Sequence, residues 1–214
     1  MRGRRVCAAA VAIALGTGCT PSRGRPATTA VEGSVTAETV AVTVLDALAG
    51  ANPGLAATHT LTDQMAWLAM AEGASLEQAA ALLDSGADQV AVNYWTGFIE
   101  SGALPAVVVD AVEEQEVGSH QFTVVRAGDL RLVLRGGSTW RVDVVASFGA
   151  TLAQRLAEAA AVVAANRGED AERLRLVLLD QQDSVAVAAA DPLLTEPARQ
   201  GLAKLAEVLA EMGS

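Results

Sequence analysis

Two segments of alternating side chains in the middle of the chain decide its fold class. Residues 130–135 and 139–144 each alternate apolar side chains with largely polar ones, and Gly136-Gly137-Ser138 lies between them. Alternation on both sides of a glycine-rich turn predicts a β-hairpin with one buried and one wetter face. Strands are also predicted at 121–126 and 106–112, so we expect an antiparallel sheet of three to four strands.

Helical periodicity replaces this alternation on both sides of the predicted sheet. Apolar residues recur three or four places apart, and Ser75-Leu76-Glu77-Gln78 forms a capping box that starts a helix. The order of elements predicts an α+β fold, with N-terminal helices packed on a small curved antiparallel sheet and a C-terminal helical segment after it. The expected helices are 36–48, 60–71, 75–85 and 88–100 before the sheet, and 151–166, 170–189 and 195–212 after it.

The N-terminus has the three parts of a secretory signal peptide. Arginines within residues 2–5 give a positive start, residues 6–15 are apolar and uncharged, and small residues lead to Cys19. The apolar stretch has about ten residues, whereas a helix needs roughly twenty to cross a bilayer. We therefore expect an export signal over 1–18 and no permanent transmembrane anchor.

The run Leu15-Gly16-Thr17-Gly18-Cys19 resembles a bacterial lipobox. The resemblance implies that Cys19 is acylated, becomes the first residue of the mature chain and anchors it to the outer face of the bacterial cell membrane. Cys7, the only other cysteine, lies in the segment that is removed, so acylation accounts for the odd cysteine of an exported protein. Because the pattern has glycine three places before the cysteine, a plainly secreted protein is the alternative.

The remaining chain divides into a tether and a folded part. Residues 20–33 are rich in Pro, Thr, Ser, Gly and Ala, a composition typical of a flexible segment. We expect the lipidated N-terminus and tether at 19–34, an α+β domain at 35–149 and the C-terminal helical segment at 150–214, packed on that domain.

The mature chain is strongly acidic. Three of the 15 basic residues lie in the signal peptide, which leaves 12 against 25 acidic residues and a formal charge of −13. Such a surface repels phosphate backbones, so nucleic-acid binding is not expected. The expected partners are the membrane, through the lipid on Cys19, and either an envelope protein or a small apolar ligand; no cofactor is expected.

Residues 36–148 resemble the cone fold of nuclear-transport-factor-like and ketosteroid-isomerase-like proteins. The resemblance rests on three or four helices followed by a curved antiparallel sheet that ends in Trp140-Arg141-Val142-Asp143. It implies an apolar pocket between the sheet and the helices. Such folds serve as enzymes, carriers and interaction modules, so the resemblance implies a pocket more than a reaction.

Acidic and histidine residues give two candidate sites. His59 and Asp63 lie one helical turn apart, which suits a hydrogen-bonded pair or two metal ligands, with a capping or surface pair as the alternative. A metal site is not expected, because no other histidine or cysteine is near. A second group, of acidic residues, precedes His120; its members are Asp110, Glu113, Glu114 and Glu116. These carboxylates could form a calcium site or supply an acid–base partner for His120, and the alternative is a solvated strand end that discourages edge pairing.

Arginines of the hairpin and aromatic residues give two more candidates. Arg131, Arg135 and Arg141, with Asp143 among them, are expected on its polar face, either to dock an anionic partner or to form a cross-strand ion-pair ladder. The aromatic side chains are expected either to line a ligand pocket or to form the core between the fourth helix and the sheet; they are Tyr94, Trp95, Phe98 and Trp140.

Several catalytic signatures are missing from the sequence. It has no phosphate-binding glycine loop, no Gly-x-Ser-x-Gly elbow, no His-Glu-x-x-His and no Cys-x-x-Cys. The sequence therefore predicts a non-catalytic, lipid-anchored envelope protein that binds a partner protein or a small apolar ligand. The alternative is a cone-fold enzyme that uses a carboxylate or His120 as a general base in an apolar pocket.

Overall fold

The computed structural model describes residues 35–102 and 108–214, and these residues confirm the predicted α+β class. The predicted signal peptide, the predicted tether and Cys19 lie outside the described residues. Within the described ranges the helices are α1 (Ala37–Ala49), α2 (Pro53–Thr58), α3 (Met65–Ala71), α4 (Leu76–Leu82), α5 (Ala87–Glu100), α6 (Val144–Ala165), α7 (Glu169–Asp180), α8 (Gln182–Ala189) and α9 (Glu196–Met212). The strands are β1 (Ala111–Val117), β2 (His120–Ala127), β3 (Leu130–Arg135) and β4 (Arg141–Val142).

The strands form an antiparallel sheet in the order β1-β2-β3-β4. The first two residues of the strand predicted at 106–112 lie outside the described residues. Residues 108–110 are not in a strand, and β1 covers Ala111–Val117 instead, so it includes Glu113, Glu114 and Glu116. Within the described part of the chain β1 pairs only with β2, so it is an edge strand and its charged side chains remain in water. Because β1 is not half-buried, its sequence lacks the alternation of apolar and polar residues by which such a strand is recognised. A parallel bridge between Thr60 and Val142 ties the segment before α3 to β4.

The last predicted strand is cut short by a helix. Asp143 adopts an extended conformation and its carboxylate accepts a hydrogen bond from the Ala146 N–H, so it caps α6. Helix α6 therefore begins at Val144, although the sequence predicted a helix only from residue 151. The helix continues without interruption across the predicted boundary at 149/150, and residues 35–214 form one compact unit.

Both faces of β2 and β3 are buried, which corrects the expectation of one wetter face in this part of the sheet. One face contributes Val125, Leu132 and Leu134 to the main core, against α1. The other face forms a smaller cluster against the start of α6 and the end of α8, with members Phe122, Val124, Val133, Ala146 and Val187. The C-terminal helices thus cover the face on which the sequence placed the arginines.

Helix α6 is the centre of the helical part and packs against α3, α8 and α9. The Trp67 indole N–H donates to the backbone carbonyl of Leu156 at 2.9 Å, which fixes α3 on α6. A Cβ atom built on Gly201 would lie 3.1 Å from that of Ala153, so the glycine lets α9 approach α6 closely. Among the described residues, no helix is both long and apolar enough to span a membrane.

Besides the start of α6, three other features of the helices differ from the sequence prediction. The predicted helix 60–71 starts only at Met65, because Thr60 is held in the bridge to β4. A short helix, α2, precedes that bridge where the Asn52-Pro53-Gly54 turn was expected, with the Asn52 side chain capping it. The predicted helix 170–189 is divided at Gln181 into α7 and α8. Helices α1, α5 and α9 and the capping box of α4 follow the prediction.

Candidate functional site

A groove of about 520 Å³ lies between helices α3 and α5. Its walls are mainly apolar, and three side chains, Glu72, Asn93 and Tyr94, add polar groups. The lining residues are Leu68, Ala69, Glu72, Ala74, Val90, Asn93, Tyr94 and Gly97. The volume lies within the range of about 300–1,000 Å³ that is usual for small-molecule sites.

Helical spacing and a glycine create the space in this groove. Val90, Tyr94 and Gly97 are four and three residues apart, so they share the face of α5 that turns toward α3. A Cβ atom built on Gly97 would meet nothing within 4 Å. Glycine in the interior of a helix costs roughly 0.5–1 kcal/mol relative to alanine. Here it leaves the middle of the groove open.

Tyr94 supplies a hydroxyl group at the apolar wall of the groove. Burial raises the pKa of this hydroxyl well above its usual value, and the nearby Arg155 opposes this only in part. The phenol therefore stays neutral at physiological pH. It makes no hydrogen bond to another described residue, so it is available to a polar atom of a bound molecule. Arg155 also forms an ion pair with Glu72, which links α6 to the edge of the groove.

The four aromatic residues singled out from the sequence are divided between two places. Tyr94, Trp95 and Phe98 form a cluster with Phe148 of α6, with ring centroids 5.2–6.0 Å apart. Of these, Tyr94 lines the groove. Trp95 is fully buried, and its indole N–H donates to the Thr60 hydroxyl at 2.8 Å.

Trp140 lies elsewhere, against Gly136 and the sheet, where it lines a separate pocket. Phe148 takes its place in the aromatic cluster. The sequence did not single out Phe148, because residue 148 falls between the predicted strand at 139–144 and the predicted helix at 151–166.

His59 and Asp63 have different surroundings. Within the described ranges no hydrogen bond joins them; the Asp63 carboxylate instead accepts from the Arg135 guanidinium at 2.7 Å. His59 ends α2, and its backbone carbonyl accepts from the Val142 N–H. No group of three or more His, Cys, Asp or Glu side chains suited to a metal ion occurs among the described residues.

His120 is held between two carboxylates that come from a distant part of the chain. Its Nδ1 lies 2.9 Å from Asp183 Oδ2, and its Nε2 lies 3.9 Å from Asp180 Oδ1. These acids flank the α7–α8 junction and are not the acidic residues that precede His120 in the sequence. The β1–β2 turn fits against Asp183 because residue 118 is a glycine at φ +58°, where a Cβ atom would lie 2.3 Å from the carboxylate.

This arrangement orients the imidazole ring firmly, but it does not place it in the groove. The residues that line the groove do not include His120. The site that the enzyme alternative requires, with the histidine facing an apolar pocket, is therefore not the α3–α5 groove.

The arginines expected on a solvated face are largely buried, which corrects that prediction. Arg131 is 9% exposed and donates to the backbone carbonyls of Ala146 at 2.6 Å and Val187 at 2.9 Å. Arg135 is 7% exposed and bridges Asp63 and Asp180. These guanidinium groups join the sheet to the C-terminal helices, and this is their structural role. Arg141 is half-buried and donates to the Thr58 carbonyl at 3.0 Å.

Asp143 is the fully buried member of this polar layer. Its carboxylate accepts from Gln64 at 2.7 Å, from the Ser184 hydroxyl at 2.6 Å and from the Ala146 N–H at 2.7 Å. Desolvation raises the pKa of Asp143, and these hydrogen bonds oppose the rise. The side-chain carbonyl of Gln64 also accepts from the Val144 N–H. No sequence pattern pointed to Gln64, because a glutamine in a predicted helix usually faces solvent.

Comparison of the chain with models of protein families, with curated proteins and with solved structures found no match. The geometry of its own sites is therefore the basis for any functional assignment.

Proposed function

We propose that the protein is a non-catalytic, lipid-anchored protein of the bacterial cell envelope that binds a small apolar ligand in its α3–α5 groove. The observation that carries the proposal is the groove itself, about 520 Å³ in volume with mainly apolar walls. A buried apolar contact contributes roughly 25 cal/mol per Å² removed from water, so a ligand that fills these walls gains most of its affinity from burial.

The polar groups at the groove favour a ligand with one polar end. The neutral Tyr94 hydroxyl can donate one hydrogen bond and accept another, and the Glu72 carboxylate is already paired with Arg155. An apolar molecule with a hydroxyl, carbonyl or amine at one end suits these groups. A few such polar groups in an otherwise apolar pocket are typical of sites that orient small ligands.

Glycine 97 allows a clean test of ligand binding. In Gly97→Leu the new side chain occupies the open space of the groove, and in the matched control Gly97→Ala only one methyl group enters it. Both changes remove a glycine from the interior of α5, so neither is expected to weaken the helix. Binding of the neutral probe N-phenyl-1-naphthylamine is measured by its fluorescence. We expect wild type and Gly97→Ala to bind it alike and Gly97→Leu to bind it at least tenfold more weakly; equal binding by all three would refute the proposal.

The lipid anchor is tested separately, by intact-mass analysis of the membrane fraction from bacteria that express wild type or Cys19→Ala. The lipobox-like run at 15–19 supports a mature species that begins at Cys19 and carries acyl chains, lost in the variant. An unacylated mature form in the culture fluid would show a secreted protein instead, and an uncleaved chain in the cytosol would show that the export prediction is wrong.

A further inference from the structure

A second pocket, of about 260 Å³, lies on the sheet at its β1 edge and shares no residue with the α3–α5 groove. It is built from β1, β2 and the residue that precedes β4. The lining residues are Glu114, Gln115, Glu116, Gln121, Phe122, Thr123 and Trp140.

Strand register places the two glutamates of this pocket on one side of the sheet. Glu114 is directly opposite Thr123, and Glu116 is directly opposite Gln121. Side chains two residues apart on a strand point to the same face, at a separation of about 7 Å. In the described part of the chain neither Glu114 nor Glu116 has an ion-pair partner. The pocket therefore carries two carboxylates that no described cation neutralises.

Trp140 reaches this pocket because residue 136 is a glycine. A Cβ atom on Gly136 would lie 2.9 Å from the Trp140 ring, so any larger residue would displace the indole. The ring is half-buried, packs partly against the main core and lines the pocket beside Thr123. An aromatic ring next to carboxylates is the combination that attracts organic cations, through the negative face of the ring and through charge.

Thr123 supplies an independent sign of a ligand. The residue is 1% exposed, and its hydroxyl oxygen has no hydrogen-bond partner in the part of the chain that the structure describes. A buried hydroxyl without a partner costs about 1–3 kcal/mol. Thr123 is one of the residues that line the pocket, so a bound molecule that donates a hydrogen bond to the hydroxyl would remove this cost.

We propose that this pocket binds a small organic cation, specifically a primary alkylammonium group. The ammonium group lies between the carboxylates of Glu114 and Glu116 and donates to the Thr123 hydroxyl, while the alkyl carbons contact the Trp140 ring. The ammonium group has three donors, which match two carboxylates and one hydroxyl. The volume of about 260 Å³ limits the ligand to a few carbon atoms. This site does not depend on the function proposed for the α3–α5 groove.

The test uses n-butylammonium chloride as the probe and n-butanol as its uncharged counterpart. Binding to the full mature chain is followed by the NMR shifts of the Trp140 indole and the Thr123 amide. The double variant Glu114→Gln, Glu116→Gln is expected to weaken n-butylammonium binding at least tenfold. The matched control is Glu113→Gln, on the same strand but on the opposite face, and it is expected to leave binding unchanged.

Thr123→Val separates a ligand-binding role of the hydroxyl from a structural one. Valine has nearly the same shape, and the hydroxyl that it replaces has no partner among the described residues, so the fold is expected to be retained. We expect a several-fold loss of n-butylammonium affinity in this variant. Equal binding of n-butanol and n-butylammonium, or unchanged affinity in either Thr123→Val or the double glutamate variant, would overturn the proposal.

Discussion

Replacing Arg131 by methionine tests whether the arginines beneath the sheet belong to the folded interior. The guanidinium donates to the carbonyls of Ala146 and Val187, and both of these residues are fully buried. Methionine occupies similar space but donates nothing, so each carbonyl loses a charge-assisted hydrogen bond of about 1.5–3 kcal/mol. Burial lowers the pKa of Arg131, which shows that desolvation of its charge costs free energy. The methionine variant avoids this cost, and that offsets part of the stability lost with the hydrogen bonds. We expect a net loss of about 3–5 kcal/mol in the free energy of unfolding.

Arg126→Met is the matched control for this variant. Arg126 is directly opposite Arg131 across β2 and β3, on the same face, and both arginines face the Asp191 carboxylate. The difference is exposure: the Arg126 side chain is 28% exposed, and its side-chain partner is that one carboxylate, at 2.9 Å. A partly exposed ion pair is worth about 0–1 kcal/mol, so the control is expected to lose no more than that.

Urea denaturation followed by circular dichroism distinguishes the two variants. With a denaturant slope of about 2 kcal/mol/M, Arg131→Met is expected to lower the midpoint by roughly 1.5–2.5 M and Arg126→Met by less than about 0.5 M. Equal shifts in the two variants would refute the reasoning, because they would show that the buried carbonyls of Ala146 and Val187 do not need the Arg131 guanidinium.

Two further predictions concern buried polar groups. Burial raises the pKa of Asp143 above its usual 3.8, so between these two pKa values the folded state binds a proton that the unfolded state has lost. The stability of the wild type, relative to that of Asp143→Asn, should therefore fall as the pH rises from about 4 through the folded-state pKa. Unfolding free energies of both proteins across this pH range check the sign, and a rise in relative wild-type stability would contradict it. Trp95→Phe and Thr60→Val each break the 2.8 Å indole–hydroxyl bond, so a double-mutant cycle by urea denaturation should give a coupling of about 1 kcal/mol. A coupling near zero would show that this bond does not stabilise the fold.

The fold class could be predicted because local patterns and tertiary structure agree over most of the chain. Helices α1, α5 and α9 have apolar residues at helical spacing, and Thr36 and Thr195 cap α1 and α9. Strands β3 and β4 pair as the hairpin predicted around Gly136-Gly137-Ser138. The prediction failed where a tertiary contact decides a boundary. Asp143 looks like the end of an alternating strand, yet its carboxylate caps a helix, and only the packing of Gln64 and Ser184 around it makes that cap favourable.

The candidate sites were harder to predict, because their residues meet only after folding. Alternation of arginine with leucine usually marks a solvated face, and nothing in residues 130–135 indicates that α6 and α8 will cover it. The partner of His120 comes from residue 183 and not from the acidic residues beside it in the sequence. Gly97 did carry a usable signal, since a glycine in the interior of a helix often marks open space or a close contact.

The central claim, that the α3–α5 groove is a ligand site, is tested most directly by mapping where an apolar ligand binds. An NMR titration of ¹⁵N-labelled mature protein with N-phenyl-1-naphthylamine reports each backbone amide. We predict that the largest shifts fall on groove residues such as Leu68, Tyr94 and Gly97, and that they disappear in Gly97→Leu but persist at the other positions in Gly97→Ala. Shifts centred elsewhere on the protein, or unchanged shifts in Gly97→Leu, would contradict the claim.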